Sequence, residues 1–334
     1  MSKLFSFDRS KIKPLLISLF FTLLLVGLLA YSISWGEVYE QLKKVSYWYL
    51  IPGTIVVYIQ MIARTMRWRI LLSPQSNTSF AARFGSLMVG NFATFVLPLR
   101  AGEFLRPLYL SKQSTVSFVE CFVSVVLERF FDLATVLLLF VAGTYLLPEL
   151  PVEAKVGASS LLVPALGILI VALCGALCPD VVRSCSDFFL RFFPEKLRSI
   201  LIKMREDFIA GSKVLASFKN WLLLLVWCAI VWGLTIYGYE VMLGLVMPGA
   251  QWSLALALTV ISAFAVALPS MPGFIGVFQW ACIGSFLLFD LPKEQAVTFS
   301  IVVHIHQYLV NILTGGIVLL IDMVRSKKTP LVSP

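Results

Sequence analysis

The 334 residues are 59% apolar and 13% charged, against about 45–50% and 25% in an ordinary soluble domain, and the mean hydropathy is +0.90. This balance excludes a disordered chain, a disulfide scaffold and a soluble enzyme, and leaves a polytopic membrane protein with its chemistry in or at the bilayer. The net charge of +9 does not point to nucleic acid, because most Lys and Arg flank apolar runs, where they set membrane orientation.

Lys3, Arg9, Lys11 and Lys13 precede an apolar run from Pro14 to Trp35. The run is longer than a signal-peptide core and has no small-x-small cleavage site, so it reads as a retained first span. Further spans are expected at about 48–71, 116–147, 156–178, 220–247 and 295–323, which makes six. Two other apolar stretches, about 80–111 and 252–290, are each broken near the middle by a Pro/Gly cluster and are expected to be two short helices joined by a turn. If each returns to the side it entered from, nineteen Lys and Arg lie on the cytoplasmic side with both termini, and Lys43, Lys44, Lys155 and Lys293 lie outside with the loop 148–155. Two full crossings per stretch give the same sides, so charge does not choose between them.

Trp35–Tyr49 reads as an interfacial stretch, with Tyr47, Trp48 and Tyr49 at headgroup level. Residues 180–219 mix Phe188, Phe189, Arg191, Phe192 and Phe193 with Lys196, Arg198, Lys203 and Arg205, which reads as a cytoplasmic interfacial amphipathic segment on an anionic leaflet. No other segment is rich enough in charge for an extramembrane domain, so residues 1–334 are expected to form a single transmembrane domain. The six cysteines show neither CxxC nor a zinc spacing and read as small apolar residues; no metal or cofactor is expected.

The two breaks resemble each other. The first reads LPLRAGEFLRP (97–107) and the second LPSMPGFIGVFQ (268–279), so Leu97, Pro98 and Gly102 recur at one constant offset as Leu268, Pro269 and Gly273. The same offset carries the span at 48–71 onto 219–242 and that at 116–147 onto 287–318. The fold expected is therefore all-α, about six full spans plus two re-entrant helical hairpins, arranged as an inverted repeat (48–147 and 220–323). Unwound backbone at membrane depth must be buried by protein or line a wet cavity, so the opposed breaks predict a central cavity.

Charge inside a span costs about 2.5–3.5 kcal/mol per residue on insertion scales. Glu128, Arg129 and Asp132 lie between two apolar runs, so they must face protein or water. Arg129 reaches Asp132 three residues on, and Glu128 needs a second cation, for which the first hairpin offers Arg100 and Arg106 with Glu103 between them. The set is formally neutral, so it suits either a structural ion network or a site that frees a guanidinium for a phosphate headgroup, aided by the helix amino terminus after Gly102. The second half offers Ser270, Met271, Gln279 and Trp280 at its break, His304, His306 and Gln307 in the last span, and Glu240 in the span before. Glu240, His304 and His306 are candidates for a proton relay, with interhelical hydrogen bonding as the plainer role.

The segments ARTMRWRILL (63–72), GNFATFVLPLRAGEFLRPLYL (90–110), ERFFDL (128–133) and LPSMPGFIGVFQ (268–279) together resemble the lysylphosphatidylglycerol synthase membrane-domain family, also called flippase-like domain proteins, over about 10–325. In the best-known relatives this domain precedes a soluble transferase and moves an aminoacylated phospholipid to the outer leaflet; others accompany polyprenyl-lipid glycosylation or hopanoid pathways. The resemblance implies a lipid flippase-like transporter of a bacterial or archaeal cytoplasmic (inner) membrane, with a phospholipid or polyprenyl-phosphate-linked lipid as substrate. It carries over Arg100, Gly102, Glu103, Arg106, Glu128, Arg129, Asp132, Pro272 and Gly273 as the substrate site, to which the residues add Gln279. The family often has an acid where Gln279 stands and an Arg near His306. The chain ends at Pro334, so no fused transferase is expected; a separately encoded one is a candidate partner, as is a second copy of the chain. An intramembrane enzyme, or an accessory scaffold for lipid-linked sugars, stays open beside the transporter, although no catalytic motif is recognisable.

Overall fold

The computed structural model describes residues 12–72, 77–98, 100–146, 159–160, 162–266 and 272–328. Among these every regular element is helical. Residues 1–11, the loop 148–155 and Leu268, Pro269, Ser270 and Met271 of the second break lie outside the described residues.

Leu-rich α1 (Ile12–Ser32) gives way to the amphipathic α2 (Trp35–Lys44) at an 86° bend. Next come α3 (Leu50–Leu71), α4 (Phe80–Val96), α5 (Gly102–Gln113) and α6 (Phe118–Leu146). α4 stops at Val96 because Pro98 disfavours helical backbone at Leu97. A 117° bend separates α7 (Leu162–Leu177) from α8 (Pro179–Leu190), where Pro179 occupies the first helical position that suits its missing N–H. α9 (Glu195–Ser212), α10 (Phe218–Leu243), α11 (Trp252–Ala265), α12 (Val277–Leu287) and α13 (Lys293–Lys328) complete the chain.

Among the described residues, Tyr47–Leu71, α10 and residues Lys293–Arg325 of α13 are long and apolar enough to cross a membrane; counting each bent pair as one span raises the number from three to five. The sequence reading counts six, including α6, whose 29 residues carry Glu128, Arg129 and Asp132 near the middle.

The chain divides into two compact units. The first comprises residues 1–56, 88–106 and 236–334; its core joins Leu29, Val38, Leu243, Leu258, Phe278, Phe286 and Phe299. Within it α12 packs on α11 and α13, and α2 lies on α13. The second comprises residues 57–87 and 107–235, with Trp68, Leu72, Leu127, Phe131, Leu215 and Leu224 in its core. There the Trp68 indole N–H donates to Ser124 Oγ at 2.8 Å, fixing α3 against α6. The segment expected to be interfacial supplies α8 and α9, which Arg183 of α8 joins by donating to Glu206 of α9 while also donating to Asp180 within its own helix. Arg183 holds the Glu206 carboxyl below its usual range. The Phe188, Phe189 and Phe192 rings beside this pair are exposed.

Candidate functional site

In the first unit both sequence breaks bend the backbone into conformations that side chains rarely adopt. Arg100 has φ +52° and Phe274 φ +64°; with Asp290 they are the non-glycine residues of positive φ among those described. Gly273 (φ +71°) and Gly276 (φ +83°) flank Phe274 and are glycines because this backbone costs them no Cβ clash. The hairpin of α4 and α5 closes on small residues: a Cβ on Gly102 would overlap the Gly90 carbonyl oxygen and the Thr94 hydroxyl.

The breaks meet. The Arg100 guanidinium lies 5.5 Å from the centroid of the Phe274 ring, within cation–π range. Phe95, from the end of α4, meets Tyr308 of α13 edge-on at 4.8 Å and Phe274 at 6.3 Å. Aromatic rings thus occupy the junction at which the sequence predicts a cavity.

A closed ring of hydrogen bonds holds the second break. The Gly276 N–H donates to Gln279 Oε1 at 2.8 Å, Gln279 Nε2 lies 2.9 Å from His304 Nδ1, and His304 Nε2 lies 2.6 Å from the Gly273 carbonyl oxygen. An amide nitrogen can only donate and a carbonyl can only accept, so His304 accepts at Nδ1 and donates from Nε2–H. The Tyr308 hydroxyl donates to the Pro272 carbonyl at 2.9 Å. Pro272, Gly273, Gln279 and His304 are therefore one construction. Glu240 and His306 are placed separately. The Thr54 hydroxyl donates to the Leu50 carbonyl, which leaves it to accept from His306 Nε2 at 2.7 Å. Glu240 is half-buried on α10, with no hydrogen-bond or ion-pair partner among the described residues.

The second unit holds an ionic cluster. Arg67 is 0% exposed and bridges two acids, with Nη1 2.7 Å from Asp132 Oδ1 and Nη2 3.1 Å from Glu128 Oε1. Arg64 approaches Glu128 at 3.5 Å, while Arg129 reaches Glu128 at 3.2 Å and Asp132 at 3.5 Å. The Trp232 indole N–H donates to Asp132, and Arg67 donates to Cys228 Sγ. Three guanidiniums and two carboxylates thus meet in this cluster. The Arg129 side chain is 43% exposed and Arg64 21%, against 14% for Asp132 and 0% for Glu128.

The model of the family described as the lysylphosphatidylglycerol synthase TM region matches residues 15–315. The chain belongs to that family. No curated protein and no solved structure shows significant similarity to it. Membership of the lysylphosphatidylglycerol synthase TM region family, together with the apolar helices, makes this a multi-pass membrane protein with a membrane lipid-related function.

Within this family member the residues taken as one site fall in two units. Arg100, Gly102, Glu103, Arg106, Pro272, Gly273 and Gln279 belong to the first unit, and Glu128, Arg129 and Asp132 to the second. The second cation for Glu128 comes from α3, as Arg67 with Arg64. From the sequence both are expected among the charges that set orientation. Their spacing, three apart on one helix, is the signal that they share a face. Trp232 and Cys228, four apart on α10, complete the cluster and carry no sequence signal of their own.

Proposed function

We propose that this protein is a transporter, not an enzyme, which moves a phosphate-headed lipid between leaflets of the inner membrane. The observation that carries this reading is the position of Arg100. A guanidinium from the first break lies against Phe274 of the second, and its planar fork suits phosphate oxygens. The acyl or prenyl chains stay in lipid while the headgroup visits the junction, which is exposed alternately to the two sides. The half-exposed Arg129 beside Arg64 offers a second cationic station, with Arg67 holding the carboxylates in place. Uphill movement would draw on an ion gradient, since no nucleotide-binding motif is present in the sequence.

Helix lengths support re-entrant hairpins. α4, α11, α5 and α12 have 17, 14, 12 and 11 residues; at 1.5 Å per residue each spans about 17–26 Å, short of a hydrocarbon core about 30 Å thick. The order of elements supports the repeat. At the offset that carries Leu97 onto Leu268, α3 falls on 221–242 against Phe218–Leu243, and α4 on 251–267 against Trp252–Ala265. α5 falls likewise on 273–284 against Val277–Leu287, and α6 on 289–317 against Lys293–Lys328.

The test is leaflet exchange of a headgroup-labelled phospholipid in vesicles containing the purified full chain. Exchange should fall to the protein-free rate in Arg100→Ala and drop strongly in Arg129→Ala, with both variants keeping the wild-type elution volume in detergent. Wild-type exchange in both variants would overturn the reading.

A further inference from the structure

The first unit contains a cavity of about 290 Å³ away from the breaks, lined by Gln41, Lys44, Val45, Leu245, Val246 and Gln295. We infer that it seats the phosphate diester of a bilayer lipid, separately from the proposed transport path. Its depth in the bilayer follows from α2, which buries Val38 and leaves Trp35 and Tyr39 exposed. Tyr47 and Trp48 are exposed just beyond Lys44. Amphipathic rings in such a row sit at headgroup level, and an amphipathic helix with one apolar face lies in that plane. The cavity is therefore where lipid phosphates are.

The lining selects an anion. Lys44 has no ion-pair partner among the described residues, whereas its neighbour Lys43 is held by Glu40 at 2.7 Å. Glu294, at the start of α13, faces Lys293 at 3.9 Å, so these nearby acids already have lysines, and Glu37 lies in the first turn of α2. The amides are aligned by bonds that engage only one end of each. The Thr298 hydroxyl donates to the Glu294 carbonyl at 2.8 Å, which leaves it to accept from the Gln41 amide at 3.3 Å, and Gln295 Nε2 donates to the Val246 carbonyl at 3.0 Å; each NH₂ group keeps one further N–H. The Leu245 carbonyl is occupied by the Ser46 N–H at 2.9 Å. One ammonium, beside two amide groups that each keep one N–H, thus faces a rim of Val45, Leu245 and Val246, which matches a phosphate diester with the first carbons of a glycerol attached. At about 30 Å³ per water the cavity has the volume of roughly ten waters, enough for a small headgroup and too little for an acyl chain.

The experiment is native mass spectrometry of the full-length protein titrated in detergent with phosphatidylglycerol, with diacylglycerol and inorganic phosphate as separate arms. Phosphatidylglycerol should be retained by wild type and by Lys43→Gln, and retained roughly tenfold more weakly by Lys44→Gln, the loss of one charge-assisted hydrogen bond. Lys44→Arg should restore retention, which separates charge from folding. Equal retention with and without Lys44→Gln, in an Arg100→Ala/Arg129→Ala background that removes the proposed transport stations as well as in the native one, overturns the inference, as does retention of diacylglycerol as strong as that of phosphatidylglycerol. Binding of inorganic phosphate that depends on Lys44 without any lipid retention assigns the site to a free anion and also overturns it. Because leaflet exchange is not the readout, failure here leaves the transport reading standing, and the reverse also holds.

Discussion

Arg100 and Phe274 both have left-handed backbone and touch each other across two breaks far apart in the chain. Such a conformation costs a non-glycine residue about 1–3 kcal/mol, and the contact returns only about 0.5–1 kcal/mol at an exposed site. Glycine adopts this backbone without that cost, having no Cβ to clash. Arg100→Gly should relieve the backbone and keep or raise the unfolding temperature in detergent, while lipid exchange falls to background. Loss of stability in parallel with exchange would make Arg100 a structural residue.

Gly102 tests the first hairpin. A methyl group there meets the Gly90 carbonyl, a backbone atom that cannot rotate away, and the Thr94 hydroxyl. Overpacking of this kind costs about 1–3 kcal/mol or more. Gly102→Ala should lower the unfolding temperature by several degrees, whereas Gly284→Ala, with nothing within 4 Å of the added carbon, should leave it unchanged.

Both breaks are legible in the sequence because Pro and Gly act locally: Pro98 ends α4 wherever α4 sits, and Gly273 and Gly276 permit a turn whatever surrounds it. The long apolar helices are legible for the same reason. The partners of the charges are not. The intramembrane position of Glu128 and Asp132 shows that they need cations, but Arg67 lies three helices earlier in the chain, and only packing of α3 on α6 through Trp68 and Ser124 selects it over Arg100 or Arg106. The role of Gln279 is hidden likewise, since its two ends are assigned only when Gly276 and His304 are in place.

That arrangement makes Gln279 sensitive to substitution. Gln279→Met removes the acceptor for Gly276 N–H and the donor for His304 Nδ1 together, and each buried group left unpaired costs about 1–3 kcal/mol. The variant should unfold several degrees earlier, with faster amide exchange at 276–280 than at α2. If His304 and His306 serve only these hydrogen bonds, His304→Asn/His306→Asn should leave the pH dependence of lipid exchange unchanged; a changed profile would favour a proton relay that includes Glu240.

Arg67 should behave as the keystone of the second unit. It is fully buried between Glu128 and Asp132, and removing one partner of a buried ion pair costs about 3–5 kcal/mol because the other charge stays behind. Arg67→Leu should therefore be strongly destabilised. Arg67→Lys should recover only part of the loss, since an ammonium does not reproduce a fork that reaches two carboxylates at 2.7 and 3.1 Å. Arg67→Leu/Asp132→Asn leaves one fewer stranded charge, so its destabilisation should be at least about 1 kcal/mol smaller than the sum of the single variants. Chemical denaturation of all four proteins in one detergent measures this coupling. Additive losses would mean that Arg67 and Asp132 are stabilised independently.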